Sequence, residues 1–404
     1  MTDPLVPLKV AASFRRFEKS NYLTWGMTVM AMDSAFAPSN DLLCFSHLRW
    51  DWVYQRPQHL MSRAARERRV FYVEEPVRSD DGVRIEEVVV APNITVVRPH
   101  IPHGVGEQEV ALLQRELLDD WLAAGDVRPH TLWYYTPMSL PFTSHLRASL
   151  VVYDCMDELS NFAGAPAALQ LLERQLLAAC DLVFTGGQSL YEAKAPLHHN
   201  CHVFPSSVDA AHFAKARTSQ LDPESQRHIP RPRLGYCGVI DERIDLPLMA
   251  ALADARPDWH QIFIGPITKI DPATLPVRAN IHFLGARPYS ELPSYFAGWD
   301  VGLLPFALNE STRFISPTKT PEYLAAGLRV VSTPVRDVVR TWGAGGFVRV
   351  AAGVHTFESA VQASLDDADV THVARVDRVL AQQSWDLTWN RMNNVMADIS
   401  ECAA

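Results

Sequence analysis

A chain of 404 residues is too long for one ordinary hydrophobic core and fits two domains. Hydrophobic residues make up 48% and charged ones 21%, the balance of a water-soluble globular protein. The net charge of −9 argues against nucleic acid as the main partner, because gripping a phosphate backbone needs a basic face.

Six cysteines (Cys44, Cys155, Cys180, Cys201, Cys237 and Cys402) are scattered without a Cys-x-x-Cys pair, most of them in apolar runs. Buried free thiols in a reducing compartment are therefore expected, rather than disulfides or zinc. No stretch approaches the roughly eighteen apolar residues that span a membrane. Lys9, Arg15, Arg16 and Lys19 precede an apolar run from 22 to 37, but Thr, Asp and Ser break that run and no clean cleavage site follows. Residues 1–40 thus read as an N-terminal extension rather than a secretory signal, with Met30 or Met32 as alternative natural starts.

The first strand is predicted over 41–46, followed by a helix over about 57–68 and a second strand over 70–73. Apolar runs at 94–97, 131–135, 150–153 and 182–185 continue as strands, with helices over 112–123 and 167–179 between them. Continuous apolar strands alternating with amphipathic helices indicate a parallel sheet covered on both faces. Residues 218–232 are polar and proline-bearing, a loop near a domain join. The pattern then restarts with strands at 234–238, 261–264, 281–284, 301–304 and 330–332, and a last helix over about 385–399.

The segment Ile315-Ser-Pro-Thr-Lys-Thr-Pro-Glu-Tyr-Leu-Ala-Ala-Gly327 reads as loop, helix and glycine stop, ahead of a buried strand. Ser316 suits the N-cap, Pro317 the first helical position and Gly327 the left-handed C-terminal position. A helix start of this kind, at Ser316, Pro317 and Thr318, offers N–H groups to phosphate, with Lys319 as an added cation. Glu322 lies one turn further in, where it can accept from a sugar hydroxyl of the same ligand.

This layout resembles the donor-site helix of GT-B fold retaining glycosyltransferases, of the glycosyl transferases group 1 type. Three more segments resemble that family in order and spacing. Arg233-Leu-Gly-Tyr-Cys-Gly-Val-Ile-Asp-Glu-Arg243 is similar to the first strand and glycine loop of its nucleotide-sugar domain. Asn280 to Phe296 is similar to a strand leading into a helix, and Phe204-Pro-Ser-Ser-Val-Asp-Ala-Ala-His-Phe213 to the crossing between domains. The resemblance implies an α/β architecture of two facing doubly wound Rossmann-like domains with a cleft between them. It divides the chain into the extension 1–40, an acceptor-side domain 41–205, a nucleotide-sugar-binding domain 206–384 and a C-terminal helix 385–404 that crosses back to the first domain.

The same resemblance assigns donor contacts. Gly238 and Arg243 fall in the phosphate loop, where Val239 replaces one of the family's two cations, and Lys319 makes up for it; Arg313 is a further candidate. The family's earlier glutamate ahead of the helix is replaced by an apolar residue here. Contacts to the donor sugar therefore pass to Asn309, Glu310 and the Ser316 backbone.

Two clusters in the first half follow predicted strands, at the edge where open α/β sheets bind ligands. His47, Arg49, Trp52, Arg56 and Gln58 lie after the first strand and are candidate acceptor contacts, with indole faces suited to sugar rings. The alternative is a charged surface loop in which Trp50 and Trp52 cover the core. Tyr153-Asp-Cys-Met-Asp-Glu158 offers three carboxylates, of which Asp157 can steady positive charge on the anomeric carbon or bond the acceptor hydroxyl. Its competing role is that of a cap. The family's histidine near this point is absent, its place held by Tyr153 or Asp154. His198-His-Asn-Cys-His202 has the composition of a zinc site but lacks i, i+4 placement, so a surface turn is the better reading.

The resulting expectation is a glycosyltransferase, hexosyltransferase-type, with Asp157, Arg243 and Lys319 as catalytic residues. Its substrates are a nucleotide diphosphate-sugar donor and a glycan, lipid-linked or small-molecule acceptor in bacterial polysaccharide or glycoconjugate synthesis. No cofactor and no metal are expected, and no nucleic acid partner; the location is cytoplasmic, with peripheral contact at the inner face of the membrane. The alternatives are a GT-B nucleotide-sugar epimerase and a non-catalytic GT-B subunit that binds a glycan or partner protein.

Overall fold

Asp41–Ser46 (β1) is buried at every position, and its residues divide between two apolar clusters. Leu42 and Cys44 join one, Leu43 and Phe45 the other, so both faces of the strand are covered. The computed structural model describes residues 40–219 and 221–403, with side chains to residue 399; the extension read over 1–39 lies outside them. Val70–Glu74 (β2), Val77–Arg78 (β3), Arg84–Ala91 (β4), Ile94–Ile101 (β5) and Pro129–Tyr134 (β6) build on β1. Leu150–Cys155 (β7), Leu182–Thr185 (β8) and Cys201–Val203 (β9) complete the sheet, in the order β3-β5-β2-β1-β6-β7-β8-β9 with β4 beside β5.

A second sheet joins Arg233–Cys237 (β10), His260–Ile264 (β11), Ile281–Gly285 (β12), Val301–Leu304 (β13), Arg329–Ser332 (β14) and Val348–Val350 (β15). Its order is β12-β11-β10-β13-β14-β15, around its own apolar core. The protein is thus α/β with two doubly wound, Rossmann-like domains, as the repeated strand–helix pattern predicts. Every pairing of these strands is parallel except β4 with β5.

β4 was not predicted, and its sequence explains why. Arg84–Ala91 is an antiparallel edge strand whose Val89 is 75% exposed, so its valines lack the burial that marks the central strands. The helix read over 57–68 spans Arg56–Ala64 and ends before the run of charged residues ahead of β2. The helix expected from Ser316 begins instead at Lys319, with Thr318 at the N-cap and no side-chain capping bond. Ser316 packs against Gly187 of the first domain, a tertiary contact that takes it away from the helix end. Pro317 to Thr320 form a turn, closed by the Thr320 N–H on the Pro317 carbonyl at 3.2 Å.

The final helix, Trp385–Ala403, lies on Arg56–Ala64 of the first domain. Trp385, Trp389 and Met392 enter the cluster that holds Leu42 and Leu60, and Asp386 pairs with Arg63 at 3.0 Å and Arg66 at 2.6 Å. Cys44, Cys155, Cys180 and Cys237 are buried free thiols and Cys201 is half-buried; the Cys402 side chain lies outside the described region. Among the described residues, no helix is long and apolar enough to cross a membrane.

Candidate active site

In each sheet the strand order reverses direction at one point, between β1 and β6 in the first and between β10 and β13 in the second. Loops leaving the carboxyl ends of such strands diverge and open a crevice. The loops after β1 and β7 meet those after β10, β11 and β13 across a cleft with two communicating chambers. The narrower, of ≈ 150 Å³, is walled by Asp157, Arg243, Ser316, Pro317, Thr318 and Lys319. The wider, of ≈ 430 Å³, lies between Trp50 and Trp52 on one side and Ala286, Arg287 and Pro288 on the other. Gly238, Val239, Tyr54 and Lys319 line both.

Backbone geometry lets the chain come this close. A Cβ on Gly265 would meet the Gly238 carbonyl, and Gly265 also has φ +148, so the loops after β10 and β11 can lie side by side only with glycine there. The Tyr323 hydroxyl accepts from the Cys237 N–H at 2.6 Å, which fastens the helix Lys319–Ala325 to the end of β10. Lys319 and Gly238 therefore face the same cleft.

Charges in the narrow chamber are partly paired. Lys319 donates to Glu322 at 2.6 Å. Burial works against its charged form, but the Glu322 carboxylate holds the ammonium above its usual range. Arg243 lies in a fork with Asp241 at 2.7–3.1 Å, and Asp241 offsets the effect of burial to keep it charged. Its Nη1 has no protein hydrogen bond among the described residues. Asp157 has no hydrogen bond to its carboxylate among the described residues and does not cap the short helix after it, Leu159–Asn161. Burial raises its pKa, against the lowering influence of Arg243.

A loop of the first domain locks onto the second beside this chamber. The Asn161 amide donates to the Glu310 carbonyl at 3.1 Å and the Ala163 N–H to Glu242 at 3.1 Å. Phe162 stands between two cations, with Arg243 at 5.3 Å and Lys269 at 5.4 Å from its ring centre.

Several expected ligand contacts serve the scaffold instead. Arg56 lines the narrow chamber, but its guanidinium forks onto buried Asp154 at 2.8–3.1 Å and donates to the Phe204 carbonyl at 2.7 Å. Gln58 is fully buried and pins the loop before its helix by donating to the carbonyls of Trp50 (2.9 Å) and Val53 (3.0 Å). Arg49 turns to Glu74 at 3.0 Å and to the Glu75 carbonyl at 2.6 Å. Asn309 caps a turn and holds the Glu242 carbonyl at 3.1 Å; Glu310 pairs with Arg313 at the exposed surface.

His47 and Glu322 line neither chamber, although Glu322 adjoins one through Lys319. Gly238, Ser316, Pro317, Thr318 and Trp52 are on the walls. His198 and His202 are tied to the Cys180 carbonyl (3.0 Å) and the Asn200 side chain (2.8 Å). Phe162, Tyr54 and Lys269 were missed. Each follows a strand at the ligand-binding edge, β1 for Tyr54, β7 for Phe162 and β11 for Lys269, and that position is the signal that could have found them.

Residues 231–367, the body of the second domain, match the family described as Glycosyl transferases group 1. Sucrose-phosphate synthase from Thermosynechococcus elongatus superposes with a TM-score of 0.70 at 14% identity, over 90% of this chain and 100% of that one. The fold is GT-B. Trehalose-6-phosphate synthase structures share this GT-B architecture: that from E. coli bound with UDP-2-fluoro glucose reaches a TM-score of 0.67 at 12% identity, over 89% of this chain and 99% of the other. The catalytic domain of starch synthase IV from Arabidopsis thaliana, bound to ADP and acarbose, reaches 0.61 at 9% identity, over 90% and 99% of the two chains. By sequence, a Bacillus subtilis (strain 168) protein named as a teichuronic acid biosynthesis glycosyltransferase, TuaH, is 25% identical over 226 residues. That match covers 50% of this chain and spans 55% of the relative, about half its length.

Proposed function

We propose that this GT-B chain is a glycosyltransferase that moves a sugar from a nucleotide diphosphate donor to a glycan, lipid-linked or small-molecule acceptor. The observation that carries the reading is the cleft itself. Two cations, Arg243 and Lys319, face a narrow chamber beside Asp157, a carboxylate unpaired among the described residues, and a wider aromatic chamber adjoins it. A nucleoside suits the wide chamber between Trp52 and Pro288, and the diphosphate and sugar suit the narrow one.

On this reading the glycosidic bond breaks toward the diphosphate, and Arg243 and Lys319 offset the charge that collects there. Both are held charged by carboxylates already in place, so little reorganisation is needed at the moment of reaction. Asp157 sits where positive charge on the anomeric carbon would be steadied. The acceptor hydroxyl attacks the face from which the diphosphate leaves, and a leaving phosphate oxygen takes its proton, which gives retention without a protein base or a metal. The TuaH likeness supports a role in bacterial polysaccharide synthesis. We place that role at the cytoplasmic face of the membrane, through peripheral contact.

Thermal shift with a panel of UDP-, GDP- and dTDP-sugars tests the reading. A stabilising shift with one nucleotide, together with sugar transfer on adding acceptor, is expected. No shift with any nucleotide overturns it in favour of a binding subunit, and an altered sugar without acceptor in favour of an epimerase.

A further inference from the structure

Lys269 belongs to the second domain yet stands over the first. It follows β11, and its ammonium lies 5.4 Å from the ring centre of Phe162, on the loop that crosses from the first domain. It is within electrostatic reach of His47 after β1, Glu75 after β2 and Asp157 after β7, three loops at the carboxyl edge of the first sheet. No ion pair or hydrogen bond engages its side chain among the described residues, and it lines neither chamber of the donor cleft. Arg243, on the same ring, and Lys319 already face the place where a diphosphate fits.

Two further facts set Lys269 apart from an ordinary surface lysine. Its backbone is left-handed, with φ +58, which a lysine rarely adopts and which persists only where the surroundings hold it. In the same region the Nδ1 of His47 is buried without a hydrogen-bond partner. Burial and the Lys269 charge push that imidazole down to about 4, so it stays neutral at physiological pH. Arg49 stands near Glu75 and Arg243 near Asp157, but Arg49 is paired with Glu74 and Arg243 with Asp241. Lys269 is thus the cation of this platform that no carboxylate engages among the described residues.

We propose that Lys269 is the specificity-determining residue of the acceptor side, recognising a carboxylate or phosphate on the incoming sugar. This rests on the donor reading above: with the nucleotide on the second domain, the acceptor lies between Asp157 and the first sheet, under Lys269. The cation offsets the platform carboxylates and fixes the anionic group, while the neutral His47 adds no charge that would compete for it.

The test titrates glucuronate, glucose 6-phosphate and neutral glucose by calorimetry into wild-type protein and Lys269→Met, each with and without the nucleotide that gives the largest thermal shift. The wild type should bind at least one anionic sugar up to about fivefold tighter than glucose, the upper end for an exposed ion pair. The two arms separate carboxylate from phosphate. Lys269→Met should abolish that preference with nucleotide affinity and thermal midpoint unchanged, and Lys269→Arg should retain it. Equal binding of all three sugars, or a preference that survives in Lys269→Met, overturns the proposal. So does loss of nucleotide affinity in Lys269→Met, which would assign the residue to the donor grip. Failure of nucleotide to bind the wild type counts against the donor reading alone, because the nucleotide-free titrations still report on Lys269.

Discussion

The chemistry available to each residue depends on whether its charge already has a partner. Among the described residues, Asp157 keeps a carboxylate without a protein hydrogen bond beside Arg243, while Asp154, three residues earlier, is fully engaged by Arg56. Asp157→Asn preserves shape and removes charge, so nucleotide affinity should hold while transfer falls by about a hundredfold; unchanged transfer would remove its catalytic assignment. Lys319 needs a more careful variant. Breaking the Lys319–Glu322 pair from one side strands a buried charge, with a loss of about 3 kcal/mol in stability. The double variant Lys319→Met, Glu322→Gln should recover stability in urea unfolding but not turnover, which separates the fold from the chemistry. His59, stacked on Trp385 at 4.5 Å, carries a pH signature. Burial, then Arg63 and Lys319, lower its pKa from 6.5 to about 3. Below pH 6.5 the unfolded chain therefore takes up a proton that the folded chain refuses. Stability is full above that point and falls as the pH drops toward 3, by about 1.4 kcal/mol per pH unit from this group. His59→Phe should shrink the loss of unfolding midpoint between about pH 7 and pH 5; a midpoint that falls as steeply in the variant contradicts this.

Among the elements, one short helix is completed by the opposite domain. Gln188–Lys194 has Gly187 at its N-cap and so no side chain of its own to close the end. The buried Asp337 carboxylate arrives from the second domain and accepts from the Ser189 N–H at 3.0 Å and from its hydroxyl. Arg336 and Arg340 of the same segment pair with Glu192 at 2.9 and 2.7 Å. A Cβ on Gly187 would press on Asp337 and come within 2.7 Å of the Ser316 Cβ. Gly187→Ala should therefore part the domains on this side, read as a larger radius of gyration in X-ray scattering and weaker nucleotide binding. An unchanged scattering curve would mean that the contact yields locally.

Across the whole molecule, the chain returns to where it began. Trp385, Trp389 and Met392 complete the core under β1, although the second domain intervenes in sequence. Trp389 is 2% exposed, so Trp389→Ala should cost about 3–5 kcal/mol. The loss belongs to the first domain, and nucleotide affinity at ambient temperature should survive because Arg243 and Lys319, the cations proposed to hold the diphosphate, stand on the second domain. Loss of nucleotide binding in a folded Trp389→Ala protein would instead tie the donor site to the final helix.

The strands were legible because burial on both faces demands continuous apolar runs, as in β1, β2, β8 and β13, and that demand is local to each strand. Glycines at Gly238 and Gly327, and the Lys319–Glu322 spacing, likewise marked a loop and a helix of the second domain, since loop and helix chemistry is set within a few residues. Which polar side chains remain free was not local. Arg56 and Asp154 are 98 residues apart, and Asp337 and Ser189 148 apart, so no window of sequence reveals that they satisfy one another. Arg49 looks like a ligand contact for the same reason, since its partners are the Glu74 carboxylate and the Glu75 carbonyl across the sheet. The partners of Gln58 are near in sequence, but only the fold of the loop turns the Trp50 and Val53 carbonyls toward it. Lys269 is the opposite case, a residue with no motif around it. Sequence by itself determined two sheets and the edge at which ligands bind, because hydrophobic burial and chain reversal act along the chain. Tertiary structure alone decided which charges the cleft keeps unpaired, because pairing depends on distance in space.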